Sequence, residues 1–162
     1  PDELGTIEYE AEIVVRVCRL GKSISERFAS RYYDAVTVGI DFTARDLLRK
    51  LSQQGLPWDM SKSFDGAAVL GEWISKDKFL DIQRLRFHLD VNGETKQEGC
   101  TSDMIYKVDE IISYISRFFT LKTGDLIYTG CPTSGFPVHI NDRLEGYIEE
   151  RKVLDLHCKK KV

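Results

Sequence analysis

The segment that decides the fold spans residues 9–18 and reads YEAEIVVRVC. Every second side chain is apolar, a spacing that predicts a β-strand with one buried face. Glu10 and Glu12 fall together on the opposite face, with Cα atoms ~7 Å apart, so both carboxylates can reach one cation. An E-x-E pair alone, however, is most often the solvated face of an antiparallel strand. The apolar positions are Tyr9, Ala11, Ile13, Val15 and Val17.

A second predicted strand, AVTVGIDF at residues 35–42, carries a carboxylate among apolar residues. This is Asp41, and a carboxylate in such a setting is costly unless it is paired or bound to a metal. Together with Glu10 and Glu12, it predicts a site of three oxygen ligands with open positions. Such a site suits Mg²⁺, Mn²⁺ or Ca²⁺ better than zinc.

Three short helices are predicted between the strands. An S-x-x-E capping box at Ser23 and Glu26 predicts a helix that runs to about Tyr33. Thr43 is predicted to cap a second helix, which stops at Gly55. A third, amphipathic helix opens at residue 109, and its apolar stripe is predicted to pack in the core. The stripe consists of Ile111, Ile112, Ile115, Phe118 and Phe119.

The second half of the chain predicts antiparallel strand pairs. Asn92-Gly93 supplies the positive φ angles of a tight turn between strands at 85–91 and 94–99. Further strands are predicted at 126–129, 144–148 and 153–158. No internal repeat or linker is found, so we predict a single domain over residues 1–162. Its class is mixed α/β and strand-dominated, without a parallel βαβ sheet.

Composition narrows the function. The 162 residues contain 23 basic and 26 acidic side chains, a net charge of -3, which argues against a general nucleic-acid binder. No apolar run reaches the ~18 to 20 residues that span a bilayer, and no secretory signal pattern is seen. None of the four cysteines forms a C-x-x-C pair, and scattered cysteines predict buried thiols in the cytoplasm. The run Lys159-Lys160-Lys161 predicts a solvated tail.

Three other positions are candidates for binding an anion, each with a simpler interpretation. Lys62 lies in a loop that contains Trp, Met and Phe. It either holds its charge close to an anionic ligand or is an ordinary surface lysine whose stem covers those side chains. Arg45 either contacts a ligand or pairs locally with Asp46. The turn Thr129-Gly130-Cys131-Pro132 either receives a carboxylate on its N–H groups or simply ends a strand.

Five motifs, in order along nearly the whole chain, resemble the fumarylacetoacetate hydrolase family. The motifs are IEYEAEIVVRV at residues 7–17, VGIDFTARDL at 38–47, GLPWDMSKSFDG at 55–66, VNGETKQEGCTSDMIY at 91–106 and IISYISRFFTLKTGDLIYTGCP at 111–132. The resemblance is to its small single-domain branch, which acts on acylpyruvates and oxaloacetate and includes isomerases. It implies a β-roll of coiled mixed sheets with peripheral helices, usually a homodimer.

The resemblance also implies roles for individual residues. The family's metal ligands fall on Glu10, Glu12 and Asp41, its lysine on Lys62, its arginine on Arg45, and its T-G-T-P substrate turn on Thr129, Gly130, Cys131 and Pro132. A 2-oxo acid would chelate Mg²⁺ through its carboxylate and keto oxygen, and the cation would stabilise an enolate, with Lys62 adding charge stabilisation. Hydrolysis, decarboxylation and isomerisation all pass through such an enolate.

The chain departs from the family pattern at two substrate-side positions and at its start. Cys131 replaces a threonine, and Leu48 stands where glutamine is frequent. The segment before the first strand, which carries the family's lid and water-activating His and Glu, is predicted to be missing upstream of Pro1. We therefore expect a metal-dependent hydrolase or lyase of 2-oxo acids. An isomerase or tautomerase of hydroxyheptadienedioate-like acids or oxaloacetate, and a non-catalytic metal-binding scaffold, stay open as alternatives.

Overall fold

Two long antiparallel strands form the centre of the fold, which a computed structural model describes for residues 4–159. β1 spans Ile7–Val17 and β2 spans Tyr33–Ala44. Their register places Glu10 directly opposite Asp41, so these two side chains emerge on the same face of the sheet. β1 is buried on both faces in its middle, so the predicted alternation of buried and solvated residues is wrong there. Strands pair with both edges of β1 in this part of the chain, and Ile13, Val14 and Val15 are all fully buried there.

Shorter strands complete the first sheet. β3 (Ala68–Leu70) and β4 (Ile74–Ser75) pair with β2, while β7 (Leu126–Tyr128) and β8 (Phe136–Pro137) pair with β1. The β1 edge therefore carries two separate short strands, with a break between them.

The second sheet has the order β10-β9-β5-β6. Its strands are β5 (Arg86–Val91), β6 (Glu94–Cys100), β9 (Arg143–Ile148) and β10 (Arg151–His157). Every strand pairing in the described residues is antiparallel, which confirms the mixed, strand-dominated class. The predicted hairpin is also confirmed, with positive φ angles at Asn92 and Gly93.

The core lies where the two sheets approach each other. A Cβ on Gly146 of β9 would lie 2.9 Å from Cγ1 of Val38 on β2, so glycine permits this approach. Fully buried aliphatic side chains from both sheets fill the space between them, among them Ile13, Val36, Ile40, Leu89, Leu144 and Ile148.

Both predicted helix caps are wrong. Helix α1 is a single turn, Glu26–Ala29, that begins after Ser25, and Ser23 has a φ of 52° outside the helix. Helix α2 spans Arg45–Gln53, and Thr43 is still part of β2 because pairing with β1 extends that strand. The predicted end of α2 near Gly55 agrees with the structure.

Helix α3 spans Val108–Phe118, and its predicted apolar stripe is only partly buried. Ile112 is fully buried, whereas Phe118 and Phe119 are 63% and 67% exposed. The helix packs on the surface, and its apolar arc is wider than the seam that contacts the core.

The cysteine prediction also needs correction, since all four thiols are free and only half-buried. In the part of the chain that is described, no helix has the length and apolar character needed to cross a membrane. Of the predicted lysine tail, Lys160 and Lys161 lie outside the described residues.

Candidate metal centre and substrate turn

Three carboxylates converge where β1 and β2 pair. Glu10, Glu12 and Asp41 each offer an oxygen atom, and these atoms all lie within 4.8 Å of one another. The register brings Glu10 and Asp41 together, and the two-residue period of β1 adds Glu12 to the same face. The structure thus places together the three residues that the sequence proposed as metal ligands.

Glu12 is the most buried of the three, with only 5% of its surface exposed. Its Oε2 accepts a hydrogen bond of 2.7 Å from the backbone N–H of Gly130. Burial is the main cause that raises the pKa of Glu12 to about 7, and the negative charges of Asp41 and Glu10 add to it. The Gly130 hydrogen bond and the charge of Lys62 lower the pKa of Glu12, but they do not outweigh the effect of burial.

Lys62 supplies the positive charge nearest to the other two carboxylates. Its Nζ donates to Oε2 of Glu10 at 2.8 Å and to Oδ2 of Asp41 at 2.7 Å. Burial lowers the pKa of this ammonium, but the hydrogen bonds to Asp41 and Glu10 outweigh burial and raise the pKa above its ordinary value. The 3-10 turn Asp59–Ser61 just before it, with buried Ser61, aims the side chain at the carboxylates. Lys62 is thus an ammonium inside the cluster, not a surface lysine.

Arg45 lies beside the cluster and is already paired. Its Nε donates to Oε2 of Glu8 at 2.6 Å, and its Nη2 lies 3.6 Å from Oε1 of Glu10. The local alternative, a pair with Asp46, is not seen, because Asp46 accepts from the backbone N–H of Thr6 instead. Arg45 therefore braces the outer side of Glu10 in this structure.

The turn after β7 lies directly beside Glu12. Gly130 has a φ of 96°, a left-handed conformation that glycine adopts without strain, and its N–H points at Glu12. The Thr129 hydroxyl donates to the carbonyl oxygen of Ile13 at 2.8 Å, which fixes the turn to β1. Burial raises the pKa of the Cys131 thiol, so it stays protonated near neutral pH.

A cavity of about 390 Å³ opens on the other side of this turn. Thr129, Gly130 and Cys131 form one wall of it. The remaining lining is mostly apolar and comes from β5, the end of β6, the segment before α3, α3 itself and the turn: Phe87, Cys100, Asp103, Met104, Ile105, Tyr106, Ile111 and Pro132. The predicted substrate turn thus lines an apolar cavity and also contacts Glu12 through the Gly130 N–H.

Two residues of this region were missed by sequence reasoning. Glu8 holds Arg45, and its place two residues before Glu10 on the same strand face was a usable signal. Gln97, on β6, is 1% exposed and contacts both β1 and the turn. Nothing in the polar stretch ETKQEG marks this one side chain as buried.

The donor set here is that of proteins that bind hard divalent cations. The family model described as fumarylacetoacetate (FAA) hydrolase C-terminal matches residues 1–160, and the chain belongs to this family. The resemblance and the fold that it implied are therefore confirmed.

Two curated relatives of this chain are named oxaloacetate tautomerases. The mouse protein named oxaloacetate tautomerase FAHD1, mitochondrial, is 39% identical over 143 residues, covering 88% of this chain and 65% of the relative. The Escherichia coli oxaloacetate tautomerase YcgM is 35% identical, covering 89% of this chain and 66% of the relative. The chain thus spans about two thirds of the length of these curated relatives.

Solved structures of similar proteins share the fold of this chain. Fumarylpyruvate hydrolase from Pseudomonas aeruginosa, in complex with Mn²⁺ and pyruvate, has a TM-score of 0.93 at 31% identity, covering 99% of this chain and 69% of that one. A fumarylacetoacetate hydrolase family protein from Yersinia pestis has a TM-score of 0.92 at 34% identity, covering 98% of this chain and 72% of that one.

Proposed function

We propose that this chain forms the cation-binding and substrate-binding part of an enzyme that acts on 2-oxo acids. The first reaction that we propose is keto–enol tautomerisation of an oxaloacetate-like acid. The observation that carries the proposal is the cluster of Glu10, Glu12 and Asp41 with Lys62 inside it. Membership of a family with hydrolase and tautomerase members supports it.

The cluster fits a divalent cation in charge and in ligand type. Its three carboxylates and Glu8 face two cations, Lys62 and Arg45, which leaves two negative charges uncompensated when all of these groups are ionised. All offered atoms are oxygens, which favours Mg²⁺, Mn²⁺ or Ca²⁺. The raised pKa of buried Glu12 also indicates a place where a cation would be stabilising. Glu10, Glu12 and Asp41 would hold the cation, which when bound would act as a Lewis acid toward a 2-oxo acid.

Lys62 is the residue that we propose to act on the substrate. An ammonium group has three N–H donors, and two of them are engaged by Glu10 and Asp41. The third can donate to the oxygen on which negative charge develops when a proton leaves the neighbouring carbon. A donor fixed in this way costs no reorganisation during the reaction.

The turn and Arg45 complete the proposed substrate site. The Gly130 N–H donates to Glu12 and the Thr129 hydroxyl donates to Ile13, so we propose that the Cys131 thiol is the side chain of the turn that contacts the substrate. We propose that Arg45, which Glu8 and Glu10 hold in place, contributes positive charge for the acid's carboxylate.

The names of two relatives support tautomerisation as our first candidate, whereas the sequence alone favoured a hydrolase or lyase and kept a tautomerase as the alternative. The mouse and Escherichia coli relatives are both named oxaloacetate tautomerases. Hydrolysis of an acylpyruvate is the second candidate, favoured by the Pseudomonas hydrolase structure with Mn²⁺ and pyruvate. Decarboxylation of oxaloacetate ranks beside hydrolysis, because it also breaks a C–C bond of a 2-oxo acid.

One experiment separates these reactions. Mn²⁺ binding is measured first, by electron paramagnetic resonance, and oxaloacetate and an acylpyruvate are then followed by NMR. We expect Mn²⁺ binding and faster keto–enol exchange of oxaloacetate without pyruvate. Pyruvate with CO₂ from oxaloacetate would mean decarboxylation, and two acids from the acylpyruvate would mean hydrolysis. Bound Mn²⁺ without any turnover would favour a scaffold, to which the Cys131 and Leu48 departures would then point.

The outcome that overturns the whole proposal is absence of Mn²⁺ binding to the intact chain. Asp41→Asn serves as the negative control, and Glu145→Gln on the second sheet as the matched control for loss of a carboxylate. The homodimer and the cytoplasmic location stay predictions. Light scattering tests the first, and the mitochondrial relatives make the second worth testing by fractionation.

A further inference from the structure

The outer edge of β1 is interrupted beside the carboxylates. At one end β7 pairs with residues 14–16 of β1, and at the other β8 pairs with Glu8 and Tyr9. Between them the chain leaves the edge after Thr129, whose N–H still reaches the carbonyl oxygen of Ile13 at 3.2 Å, and returns at Phe136. Among residues 4–159, no strand therefore pairs with Ala11 on this outer edge, whereas on the inner edge β2 places Ile40 opposite it. Ala11 lies between Glu10 and Glu12.

The side chain of Gln97 fills this break. Its Oε1 accepts the backbone N–H of Ala11 at 2.9 Å, in the place where a neighbouring strand would have supplied a carbonyl oxygen. Gln97 is only 1% exposed and comes from β6, the edge strand of the second sheet. Without it the Ala11 N–H would be a buried donor with no partner, which is costly.

The other end of the same amide holds the substrate turn. Its Nε2 lies 3.3 Å from Sγ of Cys131, 3.2 Å from Oγ1 of Thr133 and 3.3 Å from the carbonyl oxygen of Ser134. An amide NH₂ has two donors, so these three acceptors share them. Gln97 thus joins the strand that carries two carboxylates to the turn that carries Cys131.

We propose that Gln97 is the positioning residue of this site. It fixes the spacing of Glu10 and Glu12 through the Ala11 backbone, and it orients Cys131 toward the substrate. This inference rests on the proposed function, because it assigns what is positioned to a cation and a 2-oxo acid. A partner that orients ligands in this way is worth about 10- to 100-fold in metal affinity or activity.

The geometry also predicts a coupling between Gln97 and Cys131. A thiol sulfur is a weak acceptor, whereas a threonine hydroxyl is a good one. Cys131→Thr should therefore strengthen the hold of the Gln97 amide on the turn. The gain should exist only while the amide is present.

The test compares Gln97→Met with Gln83→Met. Gln83 is the matched control because its Oε1 likewise accepts a backbone N–H, that of Val108 at 3.2 Å, away from the carboxylate cluster. In Gln97→Met we expect Mn²⁺ to bind about tenfold more weakly and kcat to fall by a similar factor. Hydrogen exchange at the Ala11 amide should become faster. In Gln83→Met, Mn²⁺ affinity and kcat should stay within about twofold of the parent.

A cycle with Cys131→Thr provides a readout that a purely structural role would not move. We expect this substitution to raise kcat about threefold in the parent chain and to leave kcat unchanged in Gln97→Met. Equal effects in both backgrounds, or a Gln97→Met variant that matches Gln83→Met in Mn²⁺ affinity and kcat, would overturn the proposal.

Thr133→Val keeps the proposal testable should Gln97→Met not fold. Thr133 is exposed, so its loss should leave the melting temperature unchanged while removing one acceptor of the amide. We expect kcat/KM to fall about threefold with unchanged Mn²⁺ affinity; an unchanged kcat/KM would count against the proposal. If the parent chain neither binds Mn²⁺ nor turns over substrate, the proposed function fails, and Ala11 exchange alone still decides whether Gln97 pins β1.

Discussion

Two clusters of charged side chains on paired strands contain the same residue types but differ in their balance of charge. The carboxylate cluster on β1 and β2 sets Glu10, Glu12 and Asp41 against Lys62. The surface network on β9 and β10 instead balances its charges. It sets Glu145 and Asp155 against Arg143 and Lys152, with an Arg143–Asp155 contact of 2.6 Å and a Lys152–Glu145 contact of 3.0 Å.

The pKa values show what the difference means. Burial raises the pKa of Glu12 to about 7. In the surface network, hydrogen bonds from Arg143 and Lys152 hold the pKa of Asp155 well below its ordinary value. The balanced network satisfies its own charges, whereas the carboxylate cluster keeps an excess of negative charge in a confined place. This unsatisfied excess supports our proposal that the carboxylate cluster binds a cation.

The largest contrast is expected in turnover. Lys62→Met should lower kcat about 100- to 1,000-fold, because it removes a fixed donor from the charge that develops on the substrate. Mn²⁺ affinity should not fall, since the cluster becomes more negative. Lys152→Met, in the surface network, should leave kcat unchanged. Steady-state kinetics with parallel Mn²⁺ titrations check this, and equal losses of kcat and Mn²⁺ affinity would show that Lys62 acts structurally.

The second-largest effect is expected on the affinity for a cation. Asp41→Asn is expected to weaken Mn²⁺ binding about 100-fold or more, since even outer-shell partners are worth about 10- to 100-fold. Glu145→Gln removes a carboxylate of the surface network and should leave Mn²⁺ affinity as it is. Calorimetric or paramagnetic titration measures both variants. Equal affinities in the two would remove the carboxylate cluster from consideration as the cation site.

The two clusters should give stability curves of opposite slope. Without a cation, Glu12 binds more protons in the folded than in the unfolded chain between its ordinary pKa of 4.5 and about 7. The free energy of unfolding should therefore fall as pH rises through this window, by about 3 kcal/mol. Asp155 has a lowered pKa, so its contribution should be present above its ordinary value of 3.8 and be lost as pH falls below it.

Urea unfolding with chelator across pH 4–8 measures the first slope, and Glu12→Gln should flatten it. Unfolding at acid pH measures the second, with Asp155→Asn as its control. A slope that persists in Glu12→Gln would assign it to another group. Added Mn²⁺ should also flatten the first slope, because a bound cation favours the ionised carboxylate.

The smallest effect is expected from the surface network itself. Arg143→Ala should lower the free energy of unfolding only slightly at low salt, and by less at high salt, because exposed ion pairs are weak and screened. Denaturant titrations at two salt concentrations check this. A larger loss that does not respond to salt would mean that the network carries more of the fold than its exposure indicates.

The antiparallel strands and the cluster of three carboxylates could be predicted from the sequence. The apolar alternation of β1 and the position of Asp41 predicted two strands and an acidic site, because side-chain period is a local property. The same reasoning failed at the helix caps. Thr43 has the chemistry of a cap, but pairing with β1 keeps it in a strand, and pairing is not local.

Gln97 is the clearest example of a site residue that could not be predicted from the sequence. Its neighbours on β6 are mostly exposed and polar, and only the packing of the second sheet against the break in β1 buries this one side chain. Composition alone favoured a surface position for Lys62, and only the resemblance assigned this residue to the site. In the structure the ammonium of Lys62, 21 residues after Asp41, lies 2.7 Å from that carboxylate.

The sequence by itself determined which residues bear charge, which segments form strands and, through its motifs, the family. Only the tertiary structure decided which charges meet, because strand register and sheet packing join residues far apart in the chain. The register placed Asp41 opposite Glu10, and sheet packing placed the Gln97 amide against Ala11. Burial then turned a common pair of glutamates into a site that carries more negative charge than it can satisfy alone.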